Sequence, residues 1–423
     1  MKVLILNQCA TNKGDRAVLY FLLRELAKNG AEQVTVSTSN PDYWHEDPDD
    51  LNSLNMSLRF VRWGWDISLR KNSGILKKFF HMAYRVMFKR RFHFVFVREL
   101  LLKKISPFFL RFLCDKKFLI AAKEADVIIS TGGHHLTTMH AEDAKYSQTF
   151  DMAVALILKK PLILWSQSIG EFEFKKTRNK ELVKSIISGA EQVYIRDEGS
   201  KDEICKLGLG LSNVTIVPES VFGLYDTVEN RIAPSRRDNV IGLSVWTGRK
   251  KTPELRRAYV DSLVALFNHA VDLGYNVKLF PMELAGDDMK YLKDIASSIR
   301  KNESVEIQSF PDTPKHINLI SDCKVFVGHK THSVIFSLIA STPLLAISYH
   351  PKTNDFMRQF GIEQNCINDT DIDGDKLIVM FDDIVANLDS ISEKQEAVGL
   401  VLCKQVQSAI KDMLTELRLK HGF

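Results

Sequence analysis

Long apolar runs are missing from this chain of 423 residues, and no stretch is long enough to span a bilayer. The N-terminus, MKVLILNQCATNKGD, turns polar too soon for a secretory leader and reads as a first strand. Cysteine is sparse. Cys9, Cys114, Cys205, Cys323, Cys366 and Cys403 form no CxxC pair, so their spacing offers neither a disulfide framework nor a zinc site, and a reducing compartment fits. There is no internal repeat and no low-complexity tract. The first strand-to-helix loop lacks G-x-G-x-x-G, which leaves a dinucleotide cofactor poorly supported. Acidic charge is nearly absent from one region: between Arg70 and Lys117, only Glu99 and Asp115 oppose fourteen lysines and arginines.

What is present is globular in kind, with 45% hydrophobic and 26% charged residues. The length exceeds the usual single-domain size, so two domains are expected. Short apolar runs alternate with helical periodicity along most of the chain. Lys2 to Leu6 and Gln33 to Thr38 read as strands, with an amphipathic helix from Arg16 to Lys28 between them. Ala125 to Thr131 and Pro161 to Trp165 read as buried strands, and Gln192 to Ile195 as another. Residues 226–239, polar and carrying Pro234, read as a linker. Val240 to Val245 then opens a second series of strands and helices, and Ile391 to Leu419 reads as a closing helix. The domains expected are thus 1–225, holding a basic insertion at about 70–117, and 240–390, with a C-terminal helix at 391–423. Alternation of this kind predicts parallel sheets in two Rossmann-like domains.

One stretch has the form of a binding turn, Lys324 to Lys352. Val325 to Val327 reads as a strand, Lys330, Thr331 and His332 sit at its end, and Val334, Ile335, Leu338 and Ile339 recur at helical spacing. Pro343 ends the helix, Leu344 to Ser348 forms a strand, and Tyr349, His350, Pro351 and Lys352 leave it. A helix N-terminus beside a cation and an imidazole suits an anion. The bland reading is a solvated lysine and a capping threonine. Similar turns recur. Asn12, Gly14 and Asp15 open the first helix, where Asp15 can be a helix cap. Gly132 and Gly133 end a strand and permit close approach of a ligand. His134, His135 and His140 follow, but no carboxylate spacing supports a metal, and polar pocket lining is the plainer reading. Gln167 and Ser168 follow another strand. Arg196 ends the next, where it can meet an anion or simply pair with Asp197 or Glu198. Glu219 follows Val214 to Pro218.

Read together, these turns resemble the polysaccharide pyruvyl transferase family. The motifs are Asn12-x-Gly14-Asp15-x-Ala17, the strand ending in Gly132-Gly133, Gln167-Ser168-Ile169-Gly170, Arg196-Asp197-Glu198-x-Ser200, and Lys330-x-His332 with Pro343, Tyr349 and Lys352. The chain departs from the family at Lys330, where Arg is usual, at His134 in place of Gly, at Glu171 in place of Pro, and at Glu219 in place of Asp. The resemblance covers most of the chain outside the basic insertion. It implies a GT-B-like architecture, two Rossmann-like domains facing across a cleft. It also implies transfer of the enolpyruvyl group of phosphoenolpyruvate onto two hydroxyls of a sugar as a cyclic ketal, without nicotinamide, flavin or metal.

On that resemblance the expected catalytic residues are His332 as proton donor, with Asp15 or Glu219 as base. Arg196, Lys330, Thr331, Gly132, Gly133, Gln167 and Ser168 would hold the donor. Asn12, Gly14, His134, Tyr349 and Lys352 would line the cleft or meet the acceptor, a lipid-linked or polymeric glycan. A nucleotide-sugar glycosyltransferase uses the same architecture, so that reading stays open. So does a non-catalytic membrane-associated relative. Finally, the basic stretch interleaves Phe79, Phe80, Phe88, Phe92, Phe94, Phe96, Phe108, Phe109 and Phe112. Lys, Arg and Phe together suit an anionic membrane surface. Single-stranded nucleic acid is the competing partner and is not expected, and a helical insertion packing its Phe rings on the domain is the bland reading. The expected location is the cytoplasm, peripheral on the inner membrane face.

Overall fold

The computed structural model describes residues 1–9, 11–42, 51, 54–66, 91–138, 146–229, 231–246, 248, 252–283, 287–300, 302–309 and 312–423. The basic residues from Arg70 to Arg90 and His140 lie outside the described residues. The chain divides into two compact units. One comprises 1–10, 18–220 and 408–423, and the other 11–17 and 221–407.

The first unit is built on an all-parallel sheet. Its strands are β1 (Lys2–Gln8), β2 (Gln33–Thr38), β3 (Ser57–Arg62), β4 (Val127–Ser130), β5 (Gly133–Leu136), β6 (Leu162–Ile169), β7 (Gln192–Ile195) and β8 (Val214–Ile216). The order is β3-β2-β1-β4-β6-β7-β8, with β5 pairing to β6. In the second unit β9 (Val240–Ser244), β10 (Asn276–Leu279), β11 (Val305–Ile307), β12 (Val325–Gly328), β13 (Leu344–Ser348) and β14 (Cys366–Asn368) take the order β11-β10-β9-β12-β13-β14. Both sheets start from one central strand, run outward, then return and continue the other way, as a doubly wound sheet does. Central strands such as LILWSQSI and LLAIS are buried residue by residue, because helices cover both faces.

Several elements differ from the sequence-based expectation. β6 runs on to Ile169, so Gln167 and Ser168 lie on a strand and not in the loop after it. Residues 351–359 are a helix, Pro351–Gln359, which starts at its proline with His350 as cap. The polar stretch at 226–239 is fastened into the second unit. Arg231 donates to the carbonyls of Tyr225 and Ile339 and to Ser341 Oγ, and buried Arg237 donates to the carbonyls of Ile232 and Cys323 and to Thr342 Oγ1. Burial pushes the Arg237 guanidinium down to about 10. The described end of the basic stretch is helical, over Arg91–Leu102, Leu110–Leu113 and Lys116–Glu124. Its Phe94 packs edge-on against Phe150, 5.6 Å between ring centres, as the bland reading requires, but other phenylalanines face outward.

Candidate functional site

In a doubly wound sheet, the crevice for ligands lies beyond the strand ends where the order reverses. In the second unit that place is between β9 and β12. Beyond β12 come His329 and Lys330, then the helix Thr331–Ile339; beyond β9 comes Trp246. The Lys330 ammonium donates to Asp288 Oδ2 (2.9 Å) and Glu283 Oε2 (3.2 Å). Asp288 is buried, and the same oxygen accepts the backbone N–H groups of Met282 and Glu283, both at 3.0 Å. Lys330 is thus no solvated lysine. It is held in place by a carboxylate that is itself fixed by backbone.

The start of the first helix belongs to this same unit. Asn12 bridges to Glu283, and the Lys13 N–H donates to the Met282 carbonyl at 3.0 Å. Asn12 Oδ1 accepts from the N–H groups of Gly14 (2.8 Å) and Asp15 (3.3 Å). The cap is therefore Asn12, and the bland reading of Asp15 as cap is corrected. Asp15 stands in the first turn, half-buried. Gly14 explains itself: a Cβ built there would lie 2.0 Å from His332 Nδ1. The first and last motifs are in contact, and only glycine lets the imidazole lie there.

Around this core stand aromatic groups, of which the sequence names Tyr349 as a site residue but not Trp246 or Tyr259. Trp246 stacks on Tyr349 with ring centres 3.9 Å apart and planes 13° from parallel. Buried His329 shares a 2.9 Å hydrogen bond between Nδ1 and Tyr259 Oη. Burial pushes the Tyr259 phenol far above its usual range, so it stays protonated. Thr331 Oγ1 reaches Tyr349 Oη at 3.4 Å, and the threonine is no cap: that position is Lys330, whose side chain does not bond the helix start. His350 Nδ1 accepts the Lys352 N–H at 3.2 Å, which sets Lys352 in the first turn of its helix. Trp246 could have been found from its place just past a central strand. Asp288 could not, because only the fold brings it to Lys330.

In the first unit the strand ends hold a polar network. Gln167 is fully buried, and its Nε2 donates to Ser130 Oγ (2.8 Å) and to the carbonyls of Ser130 and Thr131, both at 3.2 Å. Asn7 donates to Ser130 Oγ at 3.0 Å, and Gln8 to Thr131 Oγ1. A Cβ on Gly132 would press to 2.9 Å of the Ser166 carbonyl oxygen, and one on Gly133, whose φ is +142°, to 2.8 Å of His135 Nε2. Both glycines thus let neighbouring groups of the fold approach their backbone closely. His135 is buried, with Nε2 at 3.2 Å from the Gly132 carbonyl, and His134 is half-buried. Arg196 pairs with Glu219, whose side chain is 2% exposed. Its Nε donates to Ser168 Oγ (2.7 Å), which donates to Asp197 Oδ2 (2.9 Å). Glu219, expected as an alternative base, is committed to that guanidinium.

These features define a GT-B-type α/β protein with its polar and aromatic groups gathered at strand ends. Solved structures share the fold. Over 98% of this chain and all of the other, HepE of Anabaena in complex with UDP-glucose superposes with a TM-score of 0.59 at 13% identity. The UDP-GlcNAc 2-epimerase of Neisseria meningitidis bound to UDP-GlcNAc, with the same coverage, gives 0.58 at 10%. The sequence is more specific. Residues 12–351 match the polysaccharide pyruvyl transferase model. The amylovoran biosynthesis protein AmsJ of Erwinia amylovora is 21% identical over 298 residues, 66% of this chain and 70% of that one. The chain belongs to the polysaccharide pyruvyl transferase family, and it is accordingly a transferase of polysaccharide biosynthesis.

Proposed function

We propose that this protein moves the enolpyruvyl group of phosphoenolpyruvate onto two hydroxyls of a sugar in a cell-surface polysaccharide or its lipid-linked precursor. The observation that carries the reading is the contact between Gly14 and His332, which joins the first and last family motifs in one cluster beside Lys330. The donor carries a phosphate and a carboxylate. The start of the helix Thr331–Ile339 offers backbone N–H groups, and Lys330 an ammonium with a third N–H beyond its two carboxylate bonds. Arg196 is the second cation of the reading.

The reaction balances as follows. One sugar hydroxyl adds to C2 of the enol while C3 takes a proton and becomes a methyl group. His332 is the proton donor by type and place. Asp15, in the first turn beside Gly14, takes the proton of the attacking hydroxyl. The second hydroxyl then attacks C2, the C2–O bond to phosphate breaks, and phosphate leaves carrying the second proton. Cationic groups at the donor favour that departure. No cofactor enters the scheme.

The test uses the purified protein, phosphoenolpyruvate and a glycan acceptor. Phosphate release together with a glycan heavier by one pyruvate ketal supports the reading. A melting temperature raised by UDP-glucose and not by phosphoenolpyruvate overturns it in favour of a nucleotide-sugar transferase.

A further inference from the structure

We infer that the face formed by Ile105, Phe108, Phe109 and Phe112 docks this protein onto an anionic lipid surface. Every residue from Lys103 to Phe109 is exposed. Phe108, Phe109 and Phe112 are 53%, 49% and 57% exposed, where phenylalanine normally goes inside. The rings form a cluster: Phe108 meets Phe109 edge-on at 5.8 Å and Phe112 at 6.2 Å between centres. The backbone presents them in a fixed way. Ser106 caps a short 3-10 turn at Pro107–Phe109, and buried Leu110 and Leu113 anchor the following turn in the core of the unit. The apolar side of this segment is therefore already used, and the phenylalanines are a second apolar face pointing out.

Charge says what covers it. The Arg111 guanidinium lies over the face of Phe108 at 3.6 Å and of Phe112 at 4.5 Å. Lys104 before the cluster and Lys116 and Lys117 after it in the chain are exposed. The acidic groups nearby are engaged: Asp115 caps the helix Lys116–Glu124, and Glu99 is shared by Arg98 and Lys103. Exposed aromatic rings with a stacked guanidinium and exposed lysines on either side in the chain match the boundary of a bilayer, where rings enter the acyl edge and cations meet phosphate. No helix among the described residues is long and apolar enough to cross, so the contact is peripheral.

Sedimentation with vesicles tests this without any assay of transfer, so it stands or falls apart from the proposed reaction. Wild type should pellet with vesicles of equimolar phosphatidylglycerol and phosphatidylcholine, weakly with phosphatidylcholine alone, and less as salt rises. Phe108→Ser/Phe109→Ser/Phe112→Ser should lower partitioning about 100-fold. Lys104→Glu should lower it by roughly fivefold or more. Both variants should melt with wild type, since the residues are exposed. The inference is overturned if wild type does not pellet, or if the triple variant pellets equally. It is also overturned if the triple variant turns a dimer into a monomer without loss of vesicle binding, or if a single-stranded oligonucleotide binds at Arg111 in preference to vesicles.

Discussion

Each unit holds a cation at the end of a strand, and the two are held differently. Arg196 meets the Glu219 carboxylate and a serine, Ser168, that is tied on to Asp197. A planar guanidinium in such a fork has one pose. Lys330 meets two carboxylates, Asp288 and Glu283, through a rotatable ammonium that keeps a donor to spare. The surroundings differ in the same sense. Amides and hydroxyls of Asn7, Gln8, Ser130, Thr131 and Gln167 knit the first unit's strand ends together. The second unit's strand ends carry a helix start, an imidazole and stacked aromatics. The first arrangement fixes shape and the second leaves groups able to respond to a ligand. Substitutions should therefore divide, with those around Lys330 and His332 changing reaction or binding and those in the network that supports the first unit's strand ends, Arg196 itself apart, changing stability.

The largest effect expected is at His332. His332→Ala should lower turnover about 10²–10⁴-fold while donor affinity, read by titration, changes far less. Gly14→Ala should act in the same direction, because its methyl group would occupy the place of His332 Nδ1. A His332→Ala enzyme that loses donor affinity and keeps its turnover of bound donor makes His332 a binding residue instead.

Next comes a group in the first unit that titrates for structural reasons. Asp151 is buried, accepts from Ser37 Oγ and the Gly64 N–H, both at 3.2 Å, and burial raises its carboxyl to about 7. The folded chain thus keeps a proton that the unfolded chain loses near pH 4. Stability should fall as pH rises from about 4 to about 7 and level off above, by up to roughly 4 kcal/mol in this contribution. Asp151→Asn should flatten that slope and melt higher than wild type at pH 8. A slope unchanged in the variant refutes the assignment.

How far the sequence announced this molecule depends on the range of the signal. LLAIS between Pro343 and Tyr349 is a strand with the bounds that its apolar run suggests, and the helix after Lys330 begins at Thr331 as its periodicity suggests. β5 escaped because GHHL has no apolar alternation and is a strand only through its pairing with β6. The helix Pro351–Gln359 escaped because PKTNDFMRQ is polar almost throughout. The site shows the same division. Motif residues at strand ends were legible, since a turn is local. Their pairings were not: topology brings Asp288 to Lys330, and Glu219, read as a candidate base, to Arg196, and no local pattern shows either pairing.

Lys330 tests the comparison from the second unit. Lys330→Ala should weaken phosphoenolpyruvate binding by roughly 1.5–3 kcal/mol, the range for a hydrogen bond to a charged group. Lys330→Arg should retain activity, since the charge stays next to Asp288 and Glu283. Calorimetric titration that finds equal affinity for wild type and Lys330→Ala removes the lysine from the donor site.

The smallest effect tests the comparison from the first unit. Asp197 Oδ1 accepts the N–H and the hydroxyl of Ser200, at 2.7 and 2.6 Å, capping the helix Glu198–Lys206. Its Oδ2 accepts from Ser168, and Ser200 Oγ in turn accepts the Ile169 N–H at 2.8 Å. One carboxylate thus ties a helix start to β6 and to the serine that orients Arg196. Asp197→Ala should cost about 1–2 kcal/mol of stability, the ordinary loss of a helix cap, seen in urea unfolding. Glu219 still grips the guanidinium in that variant, so donor affinity should stay where it was. If donor affinity falls along with stability, Asp197 and Ser168 set the pose in which Arg196 meets the donor, and the division between a network that holds shape and a site that responds to ligand does not survive.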